Sequence, residues 1–506
     1  MTFEKHHARR YFVNPLYHQA TDHTPYLQVI NPSTLEPVGD RLVCDSELIQ
    51  PVIQQANTAQ RTWARVDAKT RAAYLHKIAN RIEQADPEEV SMILTREMGK
   101  PYPESVGEIA NCGAIFRYFA EMARDDGGKV AGTTQADSFQ YARYDPYGVS
   151  VHILPFNFPI LLMCWTVAAS LAAGNACIVK PAEATTLSTL AFMQHFADLP
   201  AGLLSCIPGD ATTATELVES PHTHVVAFTG SVTAGKKVAM ACAGQLKPCI
   251  IEAGGSDPMI ISAHAPVDVA VAGAVTAAFH LSGQICTSAE RFFVVDAIYE
   301  EFVDKFVKAT RQLRIGDGLG HAEIGPLVSK AARDKVMQLV QEASGQGAVI
   351  NCGGRIPPGP GQGWFYEPTI LTEVNADMRI MQQECFGPVA SIQRVGDFEQ
   401  ALEAANQSSF GLGASVFTTE LSEAMQAADV LQSGMVWVNN PLIDNDALPF
   451  GGWKMSGVGR ELGRLGLDAF RQSKMVIIDH QPRIHDWWYP YEESWFFNNG
   501  GRKLNN

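Results

Sequence analysis

The sequence predicts an α/β protein built from two doubly wound lobes, and three observations support this fold class. The chain has 506 residues, more than a single hydrophobic core usually serves, so we expect at least two lobes. Hydrophobic residues make up 46% of the chain and charged residues 18%, a balance typical of folded globular proteins. Strand and helix patterns alternate along much of its length, and this alternation indicates parallel sheets covered by helices.

The first predicted elements are helices. Between about Ser46 and Arg124, apolar residues recur every three or four positions in IQPVIQQANTAQRTWARV, TRAAYLHKIANRIEQ and EEVSMILTREMG. From Val130 to Val151 the pattern alternates as it does in strands. There the segment SFQYARYDPYGVSVHI predicts a β-hairpin that projects from its lobe.

Two series of strand and helix units follow, one for each lobe. The first comprises ACIVKP with TLSTLAFMQHFA, LLSCIPG with ATELVES, HVVAFTG with TAGKKVAMACAG, and PCIIEAGG. The second runs from about Asp257 to Leu448 and contains RFFVVD, IYEEFVDKFVKATRQL, DKVMQLVQEASGQGAVI and SGMVWVNN. SKMVIID is a late strand, and the aromatic segment DWWYPYEESWFFNNGG follows it. We expect the apolar side chains of this segment to pack against protein, either on the same subunit or on a neighbouring one.

Composition excludes several classes of function. The formal net charge of -15 repels phosphate backbones and anionic lipid, so neither nucleic acid nor a membrane surface is an expected partner. The ten cysteines form no C-x-x-C pair, so we expect no metal site and a reducing, cytoplasmic compartment. Residues 151–179 are apolar enough to span a bilayer, but their prolines and glycine favour a buried strand, a turn and a buried helix.

Three side chains are candidates for catalysis. Cys286 lies among small and polar residues in SGQICTSAER, where a substrate can approach the thiol, although a cysteine is more often a small buried residue. Glu252 ends the strand of IIEAGG, so it is either a general base at the ligand edge of the sheet or an ordinary strand-end carboxylate. Asn157 lies between two prolines in PFNFP, and its amide can stabilise an oxyanion if it faces the site.

Further segments are typical of nucleotide sites. Lys180 and Glu183 follow a strand in IVKPAEAT, and AFTGSVTAG places glycines between a strand and a helix, where backbone N–H groups can approach phosphate. Glycine-dense loops, QECFGPV and PFGGWKMSGVGRELG, carry Glu384, Phe386 and Glu461. Taken separately, each of these segments is also compatible with a simple tight turn.

The motifs together resemble one family. Seven segments resemble the characteristic motifs of the aldehyde dehydrogenase superfamily, in its NAD(P)-dependent, hydrolytic, non-acylating form. In chain order they are PFNFP, KPAE, FTGSVTAG, EAGG, GQICTSAER, ECFGPV and PFGGWKMSGVGRE. The match extends from about residue 28 to residue 480, and 34 positions separate Glu252 from Cys286. Seven motifs in the family's order make the resemblance specific.

The resemblance implies a mechanism. The cysteine that matches Cys286 attacks the aldehyde, hydride passes from the resulting thiohemiacetal to the nicotinamide, and a thioester remains. The residue that matches Glu252 activates the water that hydrolyses this thioester. The amide that matches Asn157 and the backbone N–H of Cys286 form the oxyanion hole. Two alternatives stay open, a CoA-acylating relative and a catalytically retired binding or structural protein, but Glu252, Cys286 and Asn157 are all retained.

The resemblance also implies which residues bind the cofactor. We expect Lys180 and Glu183 at the adenosine ribose, Ser231 at the pyrophosphate, and Glu384 and Phe386 at the nicotinamide ribose. The complete expected set is Leu154, Pro155, Phe156, Lys180, Glu183, Gly230, Ser231, Glu384 and Phe386. Because the Glu183 carboxylate accepts ribose hydroxyls and repels a 2′-phosphate, we expect NAD as the cofactor, with NADP less favoured.

The expected substrate is a small aldehyde that is apolar, aromatic or amino-substituted. Trp165 stands where succinic semialdehyde enzymes have an Arg, which disfavours a free carboxylate. Asp444 and Asp446 either attract a cationic aminoaldehyde or are solvated loop carboxylates. Phe158, Trp165, Phe450 and Trp453 would form an aromatic cage. The expected pocket residues are Phe158, Trp165, Ile285, Thr287, Asp444 and Phe450.

Domain bounds follow from the same resemblance. We expect an NAD-binding domain at 1–128 and 148–254, a catalytic domain at 255–448, oligomerisation strands at 129–147 and 470–485, and an aromatic extension at 486–506. A homodimer or homotetramer is then expected, with SKMVIID added to a neighbour's sheet. Leu281 departs from the family, which usually has Asn at this position, so the Cys286 loop could be positioned differently.

Overall fold

Two sheets dominate the larger of the chain's two units. The computed structural model describes residues 26–125, 127–359, 361–485 and 487–497. The larger unit comprises Met1–Asp126 and Pro146–Gln472, and the smaller comprises Gly127–Asp145 and Ser473–Asn506. The expected domain bounds remain a prediction. Residues 1–25 of the expected NAD-binding domain, and residues 486 and 498–506 of the expected aromatic extension, lie outside the described residues.

The secondary structure alternates between strands and helices as the sequence predicts. The described α-helices are α1 (Ser46–Trp63), α2 (Ala68–Gln84), α3 (Glu88–Met98), α4 (Tyr102–Asp125), α5 (Pro159–Ala173), α6 (Thr186–Phe192), α7 (Ala211–Glu219), α8 (Val232–Ala243), α9 (Val267–Phe279), α10 (Tyr299–Thr310), α11 (Lys330–Gly345), α12 (Arg379–Gln382), α13 (Phe398–Asn406), α14 (Leu421–Val430) and α15 (Gly463–Asp468). The described strands are β1 (Tyr26–Ile30), β2 (Pro37–Leu42), β3 (Gly128–Val130), β4 (Ser138–Pro146), β5 (Val149–Ile153), β6 (Ala176–Lys180), β7 (Leu204–Cys206), β8 (Val225–Gly230), β9 (Cys249–Ala253), β10 (Asp257–Ile261), β11 (Ala289–Val295), β12 (Val349–Cys352), β13 (Thr369–Thr372), β14 (Val389–Val395), β15 (Phe410–Gly411), β16 (Gly413–Phe417), β17 (Met435–Val438), β18 (Trp453–Lys454), β19 (Gly457–Val458) and β20 (Arg471–Asp479).

The opening helices form where the sequence predicts them. Asp45 caps α1, its side chain accepting a hydrogen bond from Leu48 N at 3.3 Å, and Asp67 caps α2 in the same way through Thr70 N at 2.9 Å. Apolar residues on one face of α1, among them Ile49 and Ile53, are buried. These helices therefore pack through apolar stripes while their polar faces remain outside.

The first sheet has the strand order β19-β9-β8-β5-β6-β7. Pairing is parallel from β9 to β7, and all residues of β5 and β6 are buried, as expected for strands covered on both faces. β19 is antiparallel to β9, so the sheet ends in one antiparallel edge strand. The chain order reverses between β5 and β8, and ligands bind at such a switch point beyond the carboxyl ends of the strands.

The second sheet has the strand order β12-β13-β14-β11-β10-β16-β17. Its strands pair in parallel except for β12, which is antiparallel to β13 at one edge. Both sheets are therefore doubly wound as predicted, and each has one antiparallel edge strand that the pattern did not reveal. Hydrophobic clusters fill the spaces between the strands and their covering helices.

The smaller unit is a three-stranded sheet in the order β20-β4-β3. β3 pairs antiparallel with β4, so the predicted hairpin between β4 and β5 is wrong. Pro146 and the positive φ of Gly148 separate those two strands, and the apolar β5 joins the buried parallel sheet instead. Large side chains are exposed on β20 and the aromatic segment, among them Met475, Trp487 and Phe497.

Residues 151–179 do not form a membrane span. They contain the end of β5, all of α5 and most of β6, which confirms the predicted buried strand, turn and buried helix. Within the described ranges, no helix combines the length and the apolar character needed to cross a membrane.

Candidate active site

Two cavities meet at one cysteine. The first has a volume of about 620 Å³ and lies beyond the carboxyl ends of β5, β6 and β8. The second has a volume of about 740 Å³ and is lined largely by residues of α4, α5 and α9 and by the segment 439–444. Cys286, Leu162 and Phe450 line both cavities. A thiol at this junction can face ligands from either side.

The first cavity brings together every residue expected to bind the cofactor. These residues follow three neighbouring strands or lie on the loop between α12 and β14, and they are Leu154, Pro155, Phe156, Lys180, Glu183, Gly230, Ser231, Glu384 and Phe386. Their roles remain a prediction, but the structure places all nine on one cavity wall.

The start of α8 is the candidate phosphate site. Ser231 is the N-cap, and its side chain accepts a hydrogen bond from Ala234 N at 3.3 Å. Glycine at position 230 avoids a clash, because a Cβ here would lie 2.8 Å from the Phe228 ring. The positive end of the helix dipole and the glycine-lined approach fit the pyrophosphate of a dinucleotide.

Glu183 has a cationic partner that sequence analysis missed. Arg41 Nη2 lies 2.7 Å from Glu183 Oε2; the Arg41 side chain is 4% exposed and that of Glu183 is 52% exposed. Lys180 is nearby, and burial lowers its pKa. The expected ribose site therefore contains one carboxylate, that of Glu183, and two basic side chains, those of Arg41 and Lys180. A 142-residue separation hides such a pair from any local pattern.

A buried carboxylate holds the loop that carries Glu384 and Phe386. Glu290 accepts hydrogen bonds from Cys385 N at 2.9 Å and Phe386 N at 2.7 Å, and it was not predicted. Glu384 in turn accepts from Gly255 N at 3.0 Å. The ring of Phe386 packs edge-on against Phe156 at 5.7 Å between centroids. These contacts fix the wall of the cavity nearest Cys286.

The Cys286 thiol is partly exposed and stands among carboxyl groups. Burial raises its pKa well above the ordinary value, and the nearby Asp257, Glu252 and Glu384 raise it further. Burial and the neighbouring carboxyl groups therefore both favour the protonated thiol over the thiolate. A nucleophilic thiolate here needs a base to take the proton or a cation to stabilise it.

Glu252 and Glu461 form a pair of buried carboxyl groups. Glu252 is 3% exposed, and none of the four carboxyl oxygens of the pair has a hydrogen-bond partner in the described structure. Burial raises the pKa of Glu252 well above its usual range, and the negative charge of the neighbouring Glu461 raises it further. Burial also raises the pKa of Glu461, to about 8. In its ionised form, a carboxylate that faces the cavity can bind and deprotonate a water molecule.

Asn157 contributes an amide next to the cysteine. Its Nδ2 donates to Gln284 O at 2.9 Å, so one amide N–H already has a partner in the protein. This bond uses one of the two N–H groups and fixes the plane of the amide. The second N–H can be donated to an oxyanion.

The loop before Cys286 turns through a left-handed conformation. Leu281 has φ +50° and Ser282 has φ +57°, values that Asn tolerates better than other residues with a side chain. This explains why Asn suits the position of Leu281. Here the buried Leu281 side chain offsets the strain of the turn.

The second cavity contains the expected substrate residues. Its lining includes Phe158, Trp165, Ile285, Thr287, Asp444 and Phe450. The rings of Trp165 and Phe450 pack edge to face at 4.9 Å between centroids. The prediction was wrong for Trp453, which is 47% exposed and pairs with Gly411 outside this cavity. Asp446 is likewise absent from the described lining.

Comparison with known proteins identifies the family. The model of the aldehyde dehydrogenase family matches residues 18–476. The chain belongs to the aldehyde dehydrogenase family. It is 35% identical to betaine aldehyde dehydrogenase of Bacillus subtilis (strain 168) over 84% of this chain and 88% of that protein. It is 37% identical to the NADP(+) succinate-semialdehyde dehydrogenase of Mycobacterium avium (strain 104), over 81% and 87%.

A solved structure agrees with this assignment. Betaine aldehyde dehydrogenase of Staphylococcus aureus in complex with NAD+ superposes with a TM-score of 0.89 at 29% identity, over 92% of this chain and 94% of that chain. The family and the fold class predicted from the seven motifs are confirmed. The protein is an NAD(P)-dependent aldehyde dehydrogenase, with NAD as its expected cofactor and NADP as the second.

Proposed function

We propose that this aldehyde dehydrogenase oxidises its substrate through a thioester on Cys286 that Glu252-activated water hydrolyses. The meeting of the two cavities at Cys286 is the observation that carries the proposal. The first cavity fits a dinucleotide through the start of α8, Lys180 and Glu183. The second cavity admits an aldehyde to the other side of the same thiol.

The chain's own groups account for each step at the substrate carbon. The Cys286 thiol gives its proton to water in the cavity, and the sulfur attacks the carbonyl carbon. The C=O π electrons move to the oxygen, and the second Asn157 N–H donates to this negative oxygen. Bound NAD supplies the chemistry of hydride acceptance. Glu252 then takes a proton from water as that water attacks the thioester carbonyl. The C–S bond breaks, the carboxylic acid is released, and the proton held by Glu252 passes to the departing Cys286 sulfur.

The residues of the second cavity favour an aminoaldehyde as substrate. Its described lining has no Lys or Arg but includes Glu104, Glu108 and Asp444 beside the aromatic rings. Glu104 pairs with His280 and Glu108 with Lys100, so Asp444 carries the argument. Asp444 is an exposed residue at the cavity, and desolvation by the surrounding protein raises its pKa to about 6, so the carboxylate is anionic at neutral pH and available to a cationic group. The aromatic rings favour that cation further.

We also propose a homodimer or homotetramer in the cytoplasm. Large apolar side chains of the smaller unit, such as Met475 and Ile477 on β20, are exposed, and an exposed strand of this kind can pair with a second copy. All ten cysteines are free thiols, which fits a reducing compartment. Sedimentation of the purified protein would measure its oligomeric state.

The test is NADH formation with an aminoaldehyde and a neutral aldehyde of equal length, using the native chain, Cys286→Ala and Cys352→Ala. Cys352 is the matched control, since it is a partly exposed cysteine outside both cavities. We expect activity in the native chain and in Cys352→Ala, and none in Cys286→Ala. We also expect a higher kcat/KM for the aminoaldehyde than for the neutral aldehyde. Activity without Cys286 would refute the mechanism, and a product that requires CoA would favour the acylating alternative.

A further inference from the structure

We infer that the buried ion pair of Lys100 and Glu108 positions Asn157 for its role at the oxyanion. The inference rests on the proposed function, because it assumes that Asn157 donates to the reacting oxygen. Both members of the pair are residues that sequence analysis did not single out. Neither side chain is exposed to solvent.

Lys100 holds the residue that carries the amide. Its ammonium group donates to the Asn157 carbonyl oxygen at 2.8 Å and forms the ion pair with Glu108. The same nitrogen lies 4.7 Å from the centroid of the Phe158 ring, which lines the second cavity. One cation therefore fixes both the backbone of Asn157 and the neighbouring aromatic wall.

Glu108 holds the segment on the other side of Asn157. Its Oε1 accepts hydrogen bonds from Ile160 N at 2.8 Å and Leu161 N at 3.0 Å, in the first turn of α5. These N–H groups have no partner within a helix, so a carboxylate satisfies them and favours the positive end of the helix. Lys100 thus binds the carbonyl oxygen of Asn157, and Glu108 binds the start of α5, which begins two residues later.

Stability alone does not explain this ion pair. Burying two charges costs desolvation that their attraction often only offsets, and apolar replacements are frequently as stable. A displacement of the reacting groups by about 1 Å can cost a 100-fold loss in rate. The pair is placed where it prevents such a displacement, and we assign it a positioning role.

A double-mutant cycle separates positioning from general support. The variant Lys100→Met with Glu108→Gln removes both charges and keeps an acceptor for the α5 N–H groups, and Asn157→Ala removes the amide. We expect the paired substitution to lower kcat by about 10-fold to 100-fold in the native background and by less than about 3-fold in the Asn157→Ala background. Equal factors in both backgrounds, or no loss in the native background, would overturn the inference.

Two further variants complete the experiment. Thr95→Val removes the buried hydrogen bond of 2.8 Å between Thr95 on α3 and Ser105 on α4, the helices on either side of the segment that carries Lys100. This change should lower the melting temperature without lowering kcat. An equal kcat loss in this control would also overturn the inference. If the paired variant does not fold, Glu108→Gln alone serves in the cycle, because it removes the anion that holds Lys100. An inactive native chain would instead refute the proposed function.

Discussion

Replacing Glu252 by Gln should separate the two halves of the reaction. The substitution keeps the shape of a side chain whose carboxyl oxygens face the cavity without protein partners, and it removes only the basicity. General base catalysis contributes about 10²-fold to 10⁴-fold, which corresponds to about 2.7 to 5.4 kcal/mol of barrier at 1.36 kcal/mol per factor of ten. We expect steady-state kcat to fall by at least about 100-fold, with a first turnover of NADH per subunit still formed.

Stopped-flow absorbance of NADH measures both quantities in one trace. The native enzyme should also show a kcat that rises with pH beyond the range in which an ordinary carboxyl group titrates, because a raised pKa leaves Glu252 protonated, and therefore inactive as a base, on the acidic side. The Gln variant should lose this dependence. A variant that loses the first turnover in proportion to kcat would refute the assignment of Glu252 to hydrolysis, since it would then act before hydride transfer.

Three further substitutions test other contacts. Arg41→Gln should lower kcat/KM for NADP by about tenfold relative to NAD, because a 2′-phosphate then meets Glu183 without its cation; steady-state kinetics with an unchanged ratio would contradict this. Asp444→Asn should lower kcat/KM for an aminoaldehyde only, and in the native enzyme the preference should fade below about pH 6, where Asp444 becomes neutral; an equal loss for a neutral aldehyde would exclude the charge argument. Gly451→Ala should lower kcat and the melting temperature, because φ is +153° and a Cβ would lie 2.6 Å from Glu252 Oε1; calorimetry and kinetics identical to those of the native chain would disprove the contact.

The sequence predicts those site residues that follow strands. Lys180 and Gly230 come directly at strand ends, and because parallel strands present their carboxyl ends at one edge, residues distant in sequence converge there. Hydrophobic periodicity alone locates the helices and strands that produce this edge. The motif order then identifies Cys286 within the same arrangement.

Contacts between distant side chains could not be predicted in this way. Arg41 reaches Glu183 across 142 positions, and Lys100 reaches Asn157 across 57, so no local pattern marks either partner. Proximity in sequence was also misleading. Trp453 follows Phe450 by three residues, but its pairing with Gly411 takes it away from the aromatic wall.

The short strand β19 makes the first sheet depend on a late part of the chain. Gly457 pairs with Glu252, and Ala253 N donates to Ser456 O at 2.9 Å, so about 200 residues separate the Glu252 carboxylate from the backbone that borders it. The first sheet therefore cannot be cut out as a contiguous fragment with its edge strand intact. A gene fusion or exchange that transferred the first sheet during evolution would also have to transfer residues 456–458. The segments that build this sheet are therefore expected to be inherited together.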